Sequence, residues 1–216
     1  MFEATHVIAL RHGQTAYNAT QRIQGHLDIG LDVAGHWQAG RAGAALVDAG
    51  LAAVHSSDLA RARDTAAAVA AACGLPLAVH AELRERHFGA FEGLSYAEIE
   101  ARFPDDARRW RQREPGFGPG GGESLEVFSA RCVAAFTRLA QAHPGQTIAI
   151  VAHGGVLDCL YRAASGIGLQ QPRTWVLANA AINRLLYTGE GFRVVGWDDR
   201  RHLEPAAGSA AEEIAA

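Results

Sequence analysis

The sequence predicts an α/β protein: a mostly parallel sheet covered by helices on both faces, with an antiparallel edge at one side. Three observations carry this expectation. Short apolar runs alternate with helical segments, the pattern of parallel strands joined by crossover helices. Two of those runs, His6-Val7-Ile8-Ala9-Leu10 and Thr147-Ile148-Ala149-Ile150-Val151-Ala152, each lead to a His-Gly. Near the C-terminus, two strand-like segments joined by Gly189-Glu190-Gly191 read as a hairpin.

The first strand spans residues 6–10 and is followed by a loop through Gly25 and Gly30. A helix is predicted over 32–48, a short strand over 51–55 and an alanine-rich helix over 58–73. Gly74-Leu75-Pro76 breaks that helix, and residues 77–79 read as a third strand. Two short helices, 95–103 and 105–113, are divided at Pro104, and residues 116–122 form a loop. A long amphipathic helix over 124–142 leads to the strand 147–152 and a helix over 156–164. The hairpin strands cover 181–187 and 192–197. Residues 204–216, rich in alanine and glutamate, are expected to be mobile, leaving residues 1–203 as one domain.

Composition narrows the chemistry. At 216 residues the chain suits one sizeable α/β domain. A net charge of −3 carries no electrostatic footprint for nucleic acid. All twenty basic residues are arginine, which removes P-loop, Schiff-base and lysine-base chemistry together. Cys73, Cys132 and Cys159 form no CxxC pair and read as small buried residues in a reducing cytoplasm. The ten histidines include no HExxH spacing, so no metal site is expected. No apolar run nears the roughly 20 residues of a membrane span.

Arg11-His12-Gly13 at the end of the first strand sets a guanidinium and an imidazole at the carboxyl edge of the sheet, where open α/β folds bind ligands. His12 can attack phosphorus, and Arg11 offers a planar fork of donors to a phosphoryl group. Taken alone, His12 fits equally well as a strand-terminal histidine bonded to backbone. Arg61 lies in or near the first turn of its helix if Ser57 or Asp58 caps it, and a cation there calls for an anion in front of it. Arg63, about 200° around the helix, reads as surface. His153-Gly154-Gly155 supplies a second imidazole and two residues without Cβ, whose amides can approach an anion closely. Its alternative is a glycine turn beside a core histidine. A general acid is needed for an alkoxide leaving group. Glu85 has a modest lead over Glu92, and both Glu82 and Glu92 are expected to be solvated.

Together these segments resemble the histidine phosphatase superfamily, the phosphoglycerate-mutase-like group, from Arg11 to about Tyr187. The matching motifs are Arg11-His12-Gly13 with Asn18, Gln24-Gly25-His26-Leu27-Asp28 and Ser56-Ser57-Asp58-Leu59-Ala60-Arg61-Ala62. They continue with Leu83-Arg84-Glu85, Phe88-Gly89, Glu92-Gly93, Gly122-Glu123-Ser124 and His153-Gly154-Gly155. The resemblance implies a three-layer α/β/α sandwich and a phosphohistidine at His12. It implies a phosphate pocket lined by Arg11, Arg61 and His153, with hydrogen bonds from Asn18, Gln24 and the Gly154 amide beside Gly25. It also implies Glu85 as the proton donor and no cofactor.

The leading expectation is a phosphomonoester hydrolase acting on a small phosphorylated metabolite, with neither nucleic acid nor membrane as partner. A cofactor-dependent phosphoglycerate mutase is the alternative. Such mutases carry a longer insertion after the acid motif, whereas here the segment up to Gly122 is short. An inactive scaffold that binds a phosphorylated ligand is the third reading. The run Arg108-Arg109-Trp110-Arg111-Gln112-Arg113 reads as a solvated helix face, or else as a lid over an acidic substrate. The apolar helix faces could pack within one subunit or between two, which leaves a homodimer open.

Overall fold

The computed structural model of the chain describes residues 3–204; the tail expected to be mobile lies, beyond Glu204, outside them. Six strands build one sheet: β1 (Thr5–Arg11), β2 (Leu51–Ser56), β3 (Leu77–Val79), β4 (Thr147–Ala152), β5 (Ile182–Tyr187) and β6 (Phe192–Asp199). Their order is β3-β2-β4-β1-β5-β6. β3, β2, β4 and β1 run parallel, and β5 and β6 complete an antiparallel edge.

The period of two in β1 divides one apolar run between two cores. Val7 and Ala9 face Ile148 and Ile150 of β4 and the helices α6 (Leu125–Gln141) and α7 (Gly154–Ser165). Ile8 and Leu10 face the opposite way with Ala149 and Val151, against α2 (Val33–Leu46) and α3 (Ala60–Cys73). The result is the three-layer sandwich. A third cluster, Ile23, Phe91, Ile99 and Ala107, sits beneath α4 (Tyr96–Arg102) and α5 (Pro104–Arg111).

β1 and β4 are neighbours in the sheet, yet α2 leaves β1 for one face and α7 leaves β4 for the other. That divergence opens a crevice at their carboxyl ends. His12 and His153 are the next residues after these two strands, so topology alone brings them together.

Several local expectations change. A short helix, α1 (Ala16–Ala19), occupies part of the predicted loop, closed by a capping box between Thr15 and Asn18. Neither Ser57 nor Asp58 caps α3; its N-cap is Leu59, without a side-chain cap bond. Asp58 is instead drawn into a bidentate pair with Arg84, at 2.6 and 2.8 Å. α5 starts on Pro104, whose missing N–H costs nothing at a first turn. α7 begins at Gly154, two residues earlier than expected. Among the described residues no helix is long and apolar enough to cross a membrane.

Candidate active site

A cavity of about 890 Å³ opens at the carboxyl ends of β1 and β4. Arg11, His12, Asn18, Gln24 and Gly25 line it from one side, and Arg61, Glu85 and Gly154 from the others. His153 is fully buried and adds no wall of its own, but its ring centroid lies 5.2 Å from that of His12. Four distant stretches of chain therefore meet around one cavity.

The orientation of His12 is dictated by its neighbours. Its Nδ1 lies 2.7 Å from the Gly13 carbonyl, which can only accept, so Nδ1 carries the proton and Nε2 the lone pair. Burial pushes the imidazole well below its ordinary pKa of 6.5, and the Arg61 and Arg11 guanidiniums push it further; the Gly13 bond opposes them. The ring is thus a neutral nucleophile. Gly13 is packed against Gly35, where an added Cβ would meet the Gly35 carbonyl at 2.5 Å. Its N–H donates to Thr65 Oγ1, which donates in turn to the Arg61 carbonyl. The turn that carries His12 is therefore tied to the helix that carries Arg61.

Arg61 is fully buried and donates to the carbonyls of Gly25 and Leu27, at 2.8 and 2.9 Å. Burial lowers its pKa to about 10, partly offset by Glu85 and Asp28, so it stays a cation at neutral pH. Arg11 is held by the Leu177 carbonyl at 2.5 Å. Burial likewise lowers Arg11, and Glu85 opposes the shift. His153 is pushed well below 6.5 by burial and by Arg61, His12 and Arg11. Arg11 Nε, Arg61 Nε and both ring nitrogens of His153 find no partner among the described residues. Each buried donor left unmade costs about 1–3 kcal/mol, and a tetrahedral oxyanion can accept from the two guanidinium Nε–H groups and from the one protonated nitrogen of neutral His153.

Asn18 Oδ1 accepts from the Thr15 N–H and from Asn179, and the single Thr15 hydroxyl hydrogen lies between Asn18 Oδ1 and Gln24 Oε1, each 3.1 Å from Oγ1. These bonds consume the amide oxygens and leave the NH₂ groups for a ligand. Asn179 was not legible as part of the site: it follows a segment without periodicity, yet its Nδ2 donates to the His12 carbonyl at 2.9 Å.

The two candidate carboxylates separate cleanly. Glu85 accepts from its neighbour Arg86 N–H at 2.8 Å and from Gly155 N–H at 2.9 Å, and it lines the cavity. Glu92 lies outside the lining and, contrary to expectation, is not solvated. Its side chain is 11% exposed and accepts from the backbone of His26 and Phe88, both at 2.9 Å. It braces the loop under Gly25, where an added Cβ would collide with it. Glu82 is exposed and paired with Arg138, and Arg63 is likewise on the surface, as read.

The arginine run divides between the two readings. Arg108 and Arg109 pair with Asp105 and Glu114. Arg111 and Arg113 reach the cavity rim, already paired with Glu100 and Asp158. Phe88, Tyr96 and Trp110 form an aromatic wall there, with Tyr96 stacked on Trp110 at 5.4 Å.

A family model described as the histidine phosphatase superfamily (branch 1) matches residues 7–200. Phosphoglycerate mutase-like protein 4 of Arabidopsis thaliana is 37% identical over 202 residues, covering 92% of this chain and 86% of that protein. The metal-independent phosphoserine phosphatase of the same plant is 33% identical, covering 93% and 84%. The solved native structure of mycobacterial glucosyl-3-phosphoglycerate phosphatase superposes with a TM-score of 0.81 at 32% identity, covering 91% of this chain and 100% of that one.

Proposed function

The chain belongs to the histidine phosphatase superfamily, and from that membership we propose that its cavity hydrolyses phosphomonoesters of small metabolites through a phosphohistidine on His12. One observation carries the assignment of the residues: a neutral buried imidazole with a free Nε2, ringed by donors that lack partners.

In this reading Arg11, Arg61, Asn18, Gln24 and the Gly154 amide hold the phosphoryl oxygens beside Gly25, and His153 adds a further donor from behind His12. Nε2 of His12 attacks phosphorus in line, and the ester P–O bond breaks. The departing alkoxide takes a proton from Glu85. Water then attacks phosphorus while Glu85 takes a proton from it, and the P–Nε2 bond breaks, which frees phosphate and returns neutral His12. Donors oriented before reaction stabilise the charge on the equatorial oxygens without reorganisation.

Hydrolysis is preferred to mutase action because three rim arginines, Arg22, Arg111 and Arg113, are already paired with Glu98, Glu100 and Asp158, which leaves Arg173 as the one exposed rim arginine without an ion pair among the described residues. A mutase needs free cations for a second phosphate. The three free cysteines support a reducing cytoplasm as the compartment.

The test is to incubate the protein with 3-phosphoglycerate and with p-nitrophenyl phosphate, and to follow free phosphate and 2-phosphoglycerate. Phosphate release is expected, falling at least about 10³-fold in His12→Ala with circular dichroism unchanged. Rapid isomerisation with little phosphate would overturn the hydrolase reading, and full activity in His12→Ala would overturn the nucleophile.

A further inference from the structure

The cavity contains a second polar patch that phosphate binding does not use. Asp158 stands four residues beyond Gly154 on α7, one turn along the same helix face and about 6 Å from it at 1.5 Å per residue. It is 5% exposed and belongs to the cavity wall. Its Oδ2 accepts from Arg113 at 2.8 Å and from Arg162 at 3.0 Å, but its Oδ1 accepts from nothing among the described residues. Trp175 lines the same cavity, and its indole Nε1 is buried without an acceptor among the described residues. Both side chains pack on one guanidinium: Arg162 bonds Asp158, and its Cζ lies 4.8 Å from the Trp175 ring centroid.

We propose that Asp158 and Trp175 form a subsite for a hydroxyl on the leaving group, so that the enzyme selects monoesters of polyols over plain alkyl or aryl esters. This rests on the hydrolase reading above. A hydroxyl is both donor and acceptor, so one group can satisfy Oδ1 and Nε1 together. An ammonium can serve only the carboxylate. It would also enter a site where two guanidiniums already outweigh the single charge of Asp158. The 6 Å offset from the Gly154 amide suits a hydroxyl three or four atoms from phosphorus. A site built to bond a substrate hydroxyl discriminates strongly against the analogue lacking it, because its own buried groups are then left unpaired.

The experiment compares kcat/KM for glycerol 3-phosphate, propyl phosphate and phosphoethanolamine in the full-length protein and in Trp175→Phe and Asp158→Asn, with thermal melts as a check on folding. Glycerol 3-phosphate is expected to exceed both other esters by at least about tenfold. That ratio should collapse toward one in Trp175→Phe, which removes the N–H while keeping an aromatic ring, and in Asp158→Asn where it folds. A wild-type ratio within about twofold, equal use of phosphoethanolamine, or an unchanged ratio in Trp175→Phe would overturn the subsite. Failure of the wild type to hydrolyse any of the three esters or p-nitrophenyl phosphate would instead sink the hydrolase reading on which the subsite depends.

Discussion

The Gly155 N–H donates to Glu85 at 2.9 Å, and the carboxylate lies so close that a Cβ at position 155 would collide with its Oε1. The second glycine of His153-Gly154-Gly155 is thus required by the Glu85 carboxylate packed against it. The first turn of α7 meets two of the cavity's charged groups at once, Gly154 packed against the Arg11 guanidinium and Gly155 bonded to Glu85.

That relationship makes Gly155→Ala a test of how Glu85 is positioned. The methyl group must push the carboxylate aside, so turnover of alkyl phosphates should fall by about 10²-fold or more. Aryl phosphates, whose leaving groups depart without a proton, should lose far less. Steady-state rates on both ester classes decide it; equal losses would show that the methyl disturbs the phosphate site instead.

Glu85 and Glu92 should part company under mutation. Glu85→Gln has no proton to give and can keep only one of the two bonds, because the Arg86 and Gly155 N–H groups donate to different carboxylate oxygens. It should slow alkyl esters by about 10²–10⁴-fold and leave aryl esters far less affected, whatever stability the one lost bond costs. Glu92→Ala abandons the N–H groups of His26 and Phe88, and should cost about 1–3 kcal/mol of stability. Denaturant titration beside the alkyl-to-aryl rate ratio separates the two. A changed ratio in Glu92→Ala with Glu85→Gln unaffected would reverse the assignment.

The buried histidines predict a pH dependence of definite sign. His12 and His153 are held well below 6.5, and His55, buried between His80 and His143, is held at about 4. The unfolded chain therefore binds protons first as the pH falls. The stability these neutral rings contribute is complete above about 6.5 and is lost progressively toward their lower folded values. Melting temperature should drop between pH 7.5 and 5, before carboxylates begin to titrate near about 4.5. Inorganic phosphate should make the drop shallower, since an anion beside His153 favours its charged form. A flat profile over that range, or one that phosphate leaves unaltered, would contradict neutral burial at the site.

Sequence reasoning reached the local features and stopped where direction mattered. The strands, the helix after each His-Gly and the hairpin were legible because apolar period and glycine breaks act over a few residues. The convergence of Arg11, His12, Arg61 and His153 was legible because it follows from strand order. Glu92 was misread as solvated, and Ser57 and Asp58 as caps, because their partners lie far away in the chain or in irregular segments. Asp58 prefers Arg84, 26 residues on, to the helix end beside it.

By itself, then, the sequence determined the layered α/β architecture and the chemistry gathered at its carboxyl edge, since both are written in short-range periodicity and residue type. Only the tertiary structure decided which carboxylate faces the cavity, which arginines are already neutralised, that Asp158 and Trp175 belong to the pocket, and that Asn179 braces the His12 backbone. Those outcomes depend on where side chains from loops and helix faces point, and long-range packing sets that direction.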